Sequence, residues 1–257
     1  MSEATMTEAF RALHVRGRPL VLFNIWDVGS ASAVEAAGAA ALATSSWSVA
    51  AAHGFADGEK VPIALVLDNA RRIAGSTALP VSLDIESGYG ASDDDVANTL
   101  AQVAATGVVG CNLEDSFPAD SALRPLNMQT ARIAAARRAV DAVCPGFFIN
   151  ARTDIFFQAP SHVLDRNMAD EAIERAKAYA AAGADVFFVP GLIEETLIAR
   201  ICEASPLPVN VMIGEGSPTP GRLAAAGVAR ISHGPGPFLA AMQALQNAAA
   251  GALGVAR

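Results

Sequence analysis

Three short stretches of this sequence carry acids, amides and an arginine at alternating positions. They read Asp84-Ile85-Glu86, Asn112-Leu113-Glu114-Asp115 and Asn150-Ala151-Arg152-Thr153-Asp154, and each closes an apolar run of strand length. A strand sends successive side chains to opposite faces. Asp84 and Glu86 therefore share a face, as do Asn112 and Glu114, and as do Asn150, Arg152 and Asp154, while Cys111 points the other way. Asp84, Glu86 and Glu114 converge as carboxylate ligands with no imidazole or thiolate among them, which suits a hard octahedral cation: Mg2+, with Mn2+ as the alternative. Arg152 is read as the group that holds a substrate carboxylate or oxyanion. The competing reading makes the acids helix caps and ties Arg152 to Asp154 or Glu114.

A repeated phrase announces the elements that must position these groups. Ala36-Ala37-Gly38, Ala105-Thr106-Gly107, Ala181-Ala182-Gly183 and Ala225-Ala226-Gly227 each precede a short apolar run, the pattern of a helix stopped by a glycine and followed by a buried strand. Further runs at 20–25, 81–86, 147–154 and 209–213 bring the strands to eight. Eight such units in 257 residues predict one (β/α)8 TIM barrel domain spanning 1–257, with a doubly wound open sheet as the alternative. No Gly-x-Gly-x-x-Gly follows the first strand and no Pro/Ser-rich linker divides the chain. Barrels carry their catalytic groups at the carboxyl ends of the strands. The three acidic stretches fall there, with Asn210 on the seventh strand and His233, a candidate proton donor, after the eighth. The long connections at 45–63 and 115–129 fall at the same end, where lids and substrate contacts belong.

The block Asp84-Ile85-Glu86-Ser87-Gly88-Tyr89-Gly90, with Glu114-Asp115 and Ala151-Arg152 downstream, resembles the isocitrate lyase/phosphoenolpyruvate mutase superfamily, and the likeness runs from Asn24-Ile25-Trp26-Asp27 to Arg230-Ile231-Ser232. The resemblance implies Mg2+, a small 2-oxo or 2-hydroxy carboxylate as substrate and an enolate intermediate. It makes Asp84, Glu86 and Glu114 the metal-site acids, with Glu114 reaching the ion directly or through water, and Arg152 the substrate-binding arginine. Ser45, Ser46 and Trp47 match the turn that holds the substrate carboxylate, where Ser46 departs from the usual small residue or glycine. Asp57, in Gly54-Phe55-Ala56-Asp57-Gly58, matches an acid on a mobile loop, a catalytic candidate beside Arg152 and His233. Trp26, Asp84, Asn210 and Ser232 complete the expected substrate contacts. Members exchange the eighth helix between subunits; here it is expected at 237–250 with an apolar face of Phe238, Leu239, Met242 and Leu245, giving a homodimer or homotetramer.

The departures narrow the chemistry. The cysteine-dependent lyases of the family carry Lys-Lys-Cys-Gly-His after the fourth strand, and this chain reads Glu114-Asp115-Ser116-Phe117-Pro118-Ala119-Asp120-Ser121. The phosphoryl-handling lysine and asparagine of the carbon–phosphorus enzymes are also missing, with Arg124 the one substitute on offer. Cys111, Cys144 and Cys202 stand far apart in no metal-ligand spacing, as packed thiols of a reducing compartment do. His14 and His162 are read as surface residues and His53 as part of the loop.

Acids outnumber bases 26 to 18 and no basic run occurs, which argues against nucleic acid as a partner. No apolar stretch approaches the roughly 18 residues of a membrane span, and residues 1–10 lack the basic and apolar blocks of a secretion signal. A cytoplasmic protein with no membrane partner is expected. The functional expectation is a Mg2+-dependent lyase acting through a pyruvate-like enolate, by carbon–carbon cleavage or decarboxylation of an oxaloacetate-like compound. The alternatives are a carbon–phosphorus mutase or hydrolase and, from another class, a non-catalytic barrel that binds a 2-oxo acid.

Overall fold

Eight short parallel strands curl into a nearly closed barrel in the computed structural model, which describes residues 3–160 and 163–254. They are β1 (Leu20–Leu22), β2 (Leu42–Ala43), β3 (Val81–Asp84), β4 (Gly110–Glu114), β5 (Phe148–Arg152), β6 (Val186–Val189), β7 (Val209–Met212) and β8 (Arg230–Ser232). The sheet runs β1-β8-β7-β6-β5-β4-β3-β2, and a parallel bridge between Ile25 and Thr44 joins its two ends. The helices are α1 (Glu3–Ala12), α2 (Val28–Ala36), α3 (Ser46–Ala52), α4 (Ile63–Ser76), α5 (Asp93–Ala104), α6 (Leu126–Val143), α7 (Arg166–Ala181), α8 (Glu195–Ala204), α9 (Pro220–Ala225) and α10 (Gly236–Ala252). This is the (β/α)8 architecture expected from the repeated phrase. Gly107 and Gly183, which end two of the repeats, sit at φ 90° and 103°, where a side chain would be strained.

The core has two layers because the strands, apart from β1 with its exposed Val21, bury both faces. Leu83, Ile85, Cys111, Leu113, Ile149 and Ala151 pack outward against the helices. Inside, Leu20, Leu22, Ala43, Phe148 and Val186 close the amino-terminal end around Phe10 of α1. His14, expected at the surface, is instead buried against Phe148 at 4.4 Å, and burial with the nearby Arg230 takes its pKa down to about 3. Higher in the barrel the interior turns polar: Ser82, Asn112, Asn150, Asn210 and Arg230 are all buried there, and Asn150 donates to Asn112 Oδ1 at 2.7 Å. These side chains form the floor on which the carboxyl-end groups stand.

Two connections are more ordered than loops. Residues 45–63 contain α3, because the Ser45 hydroxyl accepts from Ser48 N and the run behind it is rich in alanine. Residues 115–129 form a tight reversal, with Ser116 bridged to Leu123, before Pro125 starts α6. At the other end of the chain, Pro237 is the buried residue of α10, while Leu239, Met242 and Leu245 are 51%, 38% and 62% exposed. An open apolar groove runs beside β1 and α2, lined by Val21, Phe23, Ala33 and Val34. No helix among the described residues is long and apolar enough to cross a membrane. His162 lies outside the described residues.

Packing is tight between β4 and β5, where Gly110 pairs with Phe148 and a Cβ would stand 2.7 Å from Phe148 O and 2.9 Å from Phe148 Cβ. Backbone cannot yield as a flexible side chain can, so Gly110→Ala is expected to lower stability by about 2–3 kcal/mol, read as a shift of the urea midpoint; an unchanged midpoint would refute this packing.

Candidate active site

Arg152 is the last residue of β5, and β4 ends beside it on Glu114 in register. Its Nη1 donates to Glu114 Oε2 at 2.9 Å and its Nε to Asp154 Oδ1 at 2.5 Å. The guanidinium lies 5.8 Å from the Phe157 ring centre and 5.9 Å from that of Phe188. Burial alone would lower its pKa, but the charges of Glu114, Asp154 and Asp84 outweigh that and keep it a cation. The pairing that the competing sequence reading foresaw is thus present on both sides. Asp154 is held in turn: its backbone N–H donates to Asp115 Oδ1 at 2.9 Å, and the fully buried Asp115 also accepts from Tyr179 Oη at 2.7 Å and Arg175 Nη1 at 3.1 Å.

Two strands along the sheet from β5, β3 ends at Asp84, whose Oδ2 accepts the Ser46 N–H at 3.1 Å while its Oδ1 is buried with no hydrogen-bond partner. Glu86 lies beyond the strand, at φ 52°, so alternation no longer fixes its direction. Its Oε2 accepts the backbone N–H groups of Gly58 at 2.8 Å and Glu59 at 2.7 Å, and Oε1 accepts from Tyr89 Oη at 3.2 Å. The loop returns the grip, for Glu59 Oε1 accepts from Ser87 Oγ at 2.7 Å and Tyr89 N at 2.8 Å. Residues 54–60 are therefore pinned over the site as a lid carrying Asp57. Burial, then the charge of Asp57, pushes Glu86 up to about 7, while Asp57 is raised by burial and by Asp84 and eased by a hydrogen bond from Ser46. Burial also raises Glu114 against the pull of Arg152.

Two cavities meet at Asp57, Arg152 and Phe157. The inner one, about 220 Å³, is lined by Ser45, Ser46, Trp47, Asp84 and Ser232 of the expected residues, and also by Asn24, Asn112, Phe188 and Met212. The outer one, about 450 Å³, opens between the lid and the loop after β4, against Glu86, Glu114, Asp154, Ser116, Ser121 and Gln158. Three of the expected residues line neither cavity. The His233 ring rests on Phe23 at 5.0 Å and lines neither cavity, because its backbone is tied to Asn24 and turns it toward β1. Trp26 packs on Phe238 at 5.1 Å instead of entering the site. Asn210 lies under the floor, accepting from Ser232 Oγ at 3.2 Å.

The convergence of Asp84, Glu86 and Glu114 also needs correction. Among the described residues no three acids, histidines or cysteines form a ready-made metal cage, because the lid occupies Glu86 and Arg152 occupies Glu114. A metal can still be accommodated: Mg2+ keeps several waters and needs one or two protein carboxylates, and the free buried oxygen of Asp84, set among mutually repelling acids, is such a donor.

The chain from residue 10 to 253 matches the family model described as phosphoenolpyruvate phosphomutase. A Burkholderia cenocepacia J2315 protein of known structure, provisionally named a phosphonomutase, is 52% identical with a TM-score of 0.94, over 98% of this chain and 100% of that one. A Mycobacterium tuberculosis (strain ATCC 25618 / H37Rv) protein of uncharacterised function is 35% identical over 94% of this chain and 87% of its own length. The 2-methylisocitrate lyase of Escherichia coli (strain K12) is 31% identical over 86% of this chain and 74% of the enzyme.

The raised pKa of Glu86 has a cost in the metal-free protein. Folded Glu86 keeps its proton from its ordinary value of 4.5 to about 7, so its contribution to stability is full below that window and is lost as pH rises through it. Glu86→Gln is expected to stabilise the protein in EDTA by about 1–3 kcal/mol at pH 8, the gain fading toward pH 5; thermal melts with equal gains at both pH values would contradict this.

Proposed function

The chain belongs to the phosphoenolpyruvate mutase/isocitrate lyase superfamily, whose members are enzymes and mostly lyases, and from that premise we propose that it is a Mg2+-dependent lyase of small 2-oxo or 2-hydroxy carboxylates acting through a pyruvate-like enolate. The observation that carries this reading is that one small cavity is lined both by Arg152 and by Asp84, a carboxylate with one unpartnered buried oxygen. Mg2+, when bound at Asp84 with Glu86 and Glu114 in its water shell, supplies Lewis acidity at the substrate's 2-oxygen.

The protein's own groups do the rest. Arg152, fixed between Glu114, Asp154 and two aromatic rings, brings a preorganised positive charge to the developing enolate oxygen, an effect typically worth about 3 kcal/mol per donor. Ser45 and Ser46 with Asn112 and Ser232 offer hydrogen bonds to the carboxylate. Asp57 lines both cavities and carries the proton, since His233 is turned away. The lid excludes water through the Glu59–Ser87 and Glu86–Gly58 bonds. Carbon–phosphorus chemistry lacks its second cation here: Arg124 stacks on Phe117 and donates to Ser116 O and Ser87 Oγ, lining neither cavity. In solution a second copy supplies the missing cover: α10 of one subunit, with its exposed Leu239, Met242 and Leu245, is exchanged into the apolar groove beside β1 of the other.

Three outcomes are expected. Asp84→Ala abolishes pyruvate formation from a panel of oxaloacetate and 2-hydroxy acids while circular dichroism stays native, and EDTA does the same to the parent; full activity in EDTA would refute metal dependence. Replacing Cys111, Cys144 and Cys202 by serine leaves turnover within about tenfold, about 1.4 kcal/mol in barrier, because all three thiols are buried and burial raises Cys202 to about 12, whereas Arg152→Ala costs at least a hundredfold; a reversed order would restore a thiol mechanism. Light scattering at micromolar concentration gives a dimer or tetramer that Leu239→Glu with Leu245→Glu dissociates; a monomeric parent would rule out helix exchange.

A further inference from the structure

The division of the site into two cavities restricts what the substrate carries beyond its 2-oxo acid head. Among the described residues lining the outer cavity there are four carboxylates, Asp57, Glu86, Glu114 and Asp154, and one cation, Arg152. Its Nη1 is bonded to Glu114 and its Nε to Asp154, and the donors that remain on the guanidinium are those the proposed function assigns to the 2-oxo acid head. Arg124, at the end of the loop after β4, is buried behind the wall with its guanidinium on Ser116 O and Ser87 Oγ. Even a divalent cation at Asp84 leaves the lining acids in negative excess. What the outer cavity does offer is uncharged: the hydroxyls of Ser116 and Ser121, the Gln158 amide, and the apolar surfaces of Phe117 and Phe157.

Resting on the enolate reading above, we propose that the outer cavity receives an uncharged carbonyl leaving group, so that the substrate is a 4-hydroxy-2-oxo acid with a single carboxylate, held in the inner cavity. The step balances without oxidant or reductant. The C3–C4 bond breaks and its electron pair stays on the C3 side as the enolate of the 2-oxo acid. The C4 hydroxyl becomes a carbonyl as its proton passes to Asp57, which reaches both cavities. The same proton then returns to C3, releasing a 2-oxo acid and an aldehyde or ketone. A carboxylate on the departing fragment would have to sit among four acids or displace one of them from Arg152.

Two measurements with Mg2+ separate this assignment from the reading beneath it. Exchange of pyruvate methyl protons in D2O, followed by NMR, reports enolate formation alone; its absence overturns the enolate reading and this assignment with it. Cleavage of 4-hydroxy-2-oxopentanoate and of 4-hydroxy-2-oxopentanedioate, which differ in a terminal methyl against a carboxylate, reports the outer cavity. The methyl compound is expected to have a kcat/KM at least tenfold higher, and Gln158→Arg, which adds a cation to that wall, is expected to narrow the ratio at least fivefold. Methyl exchange accompanied by equal or better cleavage of the dicarboxylate, by no cleavage of either compound, or by a ratio that Gln158→Arg leaves unmoved, overturns the assignment alone.

Discussion

Five carboxylates, Asp57, Asp84, Glu86, Glu114 and Asp154, reach the mouth of this barrel around one guanidinium, that of Arg152. Like charges this close and this shielded from water repel strongly, and each has to be compensated by a cation, a proton or a set of hydrogen-bond donors. The structure uses all three. Glu86 takes three donors and a raised pKa, Glu114 and Asp154 share Arg152, and Asp84 has one oxygen satisfied and one orphaned. That imbalance is what the proposed divalent cation would relieve and what a second anion would worsen.

The surrounding fold serves to keep that imbalance from relaxing. Asp115 is buried behind the site and fixes the Asp154 backbone through α7, by way of Arg175 and Tyr179. Arg132 of α6, itself buried, donates to Ser87 O at 2.8 Å and Gly90 O at 2.9 Å and so clamps the loop that carries Glu86. Below, the amide floor of Asn112 and Asn150 shares the barrel axis with Arg230, a fully buried arginine whose Nη1 has no partner and whose pKa burial lowers to about 9. Backbone strain gathers in the same region: the non-glycine residues at positive φ among those described are Glu59, Glu86, Tyr89 and Ser121, all in the loops around the two cavities.

The barrel was legible in the sequence because its signals are local. A glycine closing a helix and an apolar run of strand length repeat along the chain, and strand alternation correctly set Asp84, Asn112 and Arg152 inward and Cys111 outward. The same rule failed for Glu86 because β3 stops two residues earlier and the chain turns at positive φ. His233 and Trp26 lie outside both cavities because proximity to a strand end does not say which way a side chain leaves it. Glu59 was missed altogether: its role lies in bonds to residues 28 and 30 positions away, and nothing in its neighbours announces them. Phe157 and Phe188, which bracket the arginine, read only as core. Chemistry written in strand phase can be read from sequence, whereas chemistry made by two loops meeting cannot.

The central claim is that the inner cavity binds a planar 2-oxyacid anion between Asp84 and Arg152 with a divalent cation. A crystal structure with Mg2+ and oxalate, which mimics the enolate of pyruvate in shape and charge, tests it most directly. The account requires the ion on Asp84 and the oxalate beside it within hydrogen-bond reach of Arg152. Oxalate bound elsewhere, or an ion seated without Asp84 while Arg152 remains closed on Glu114 and Asp154 alone, would contradict it.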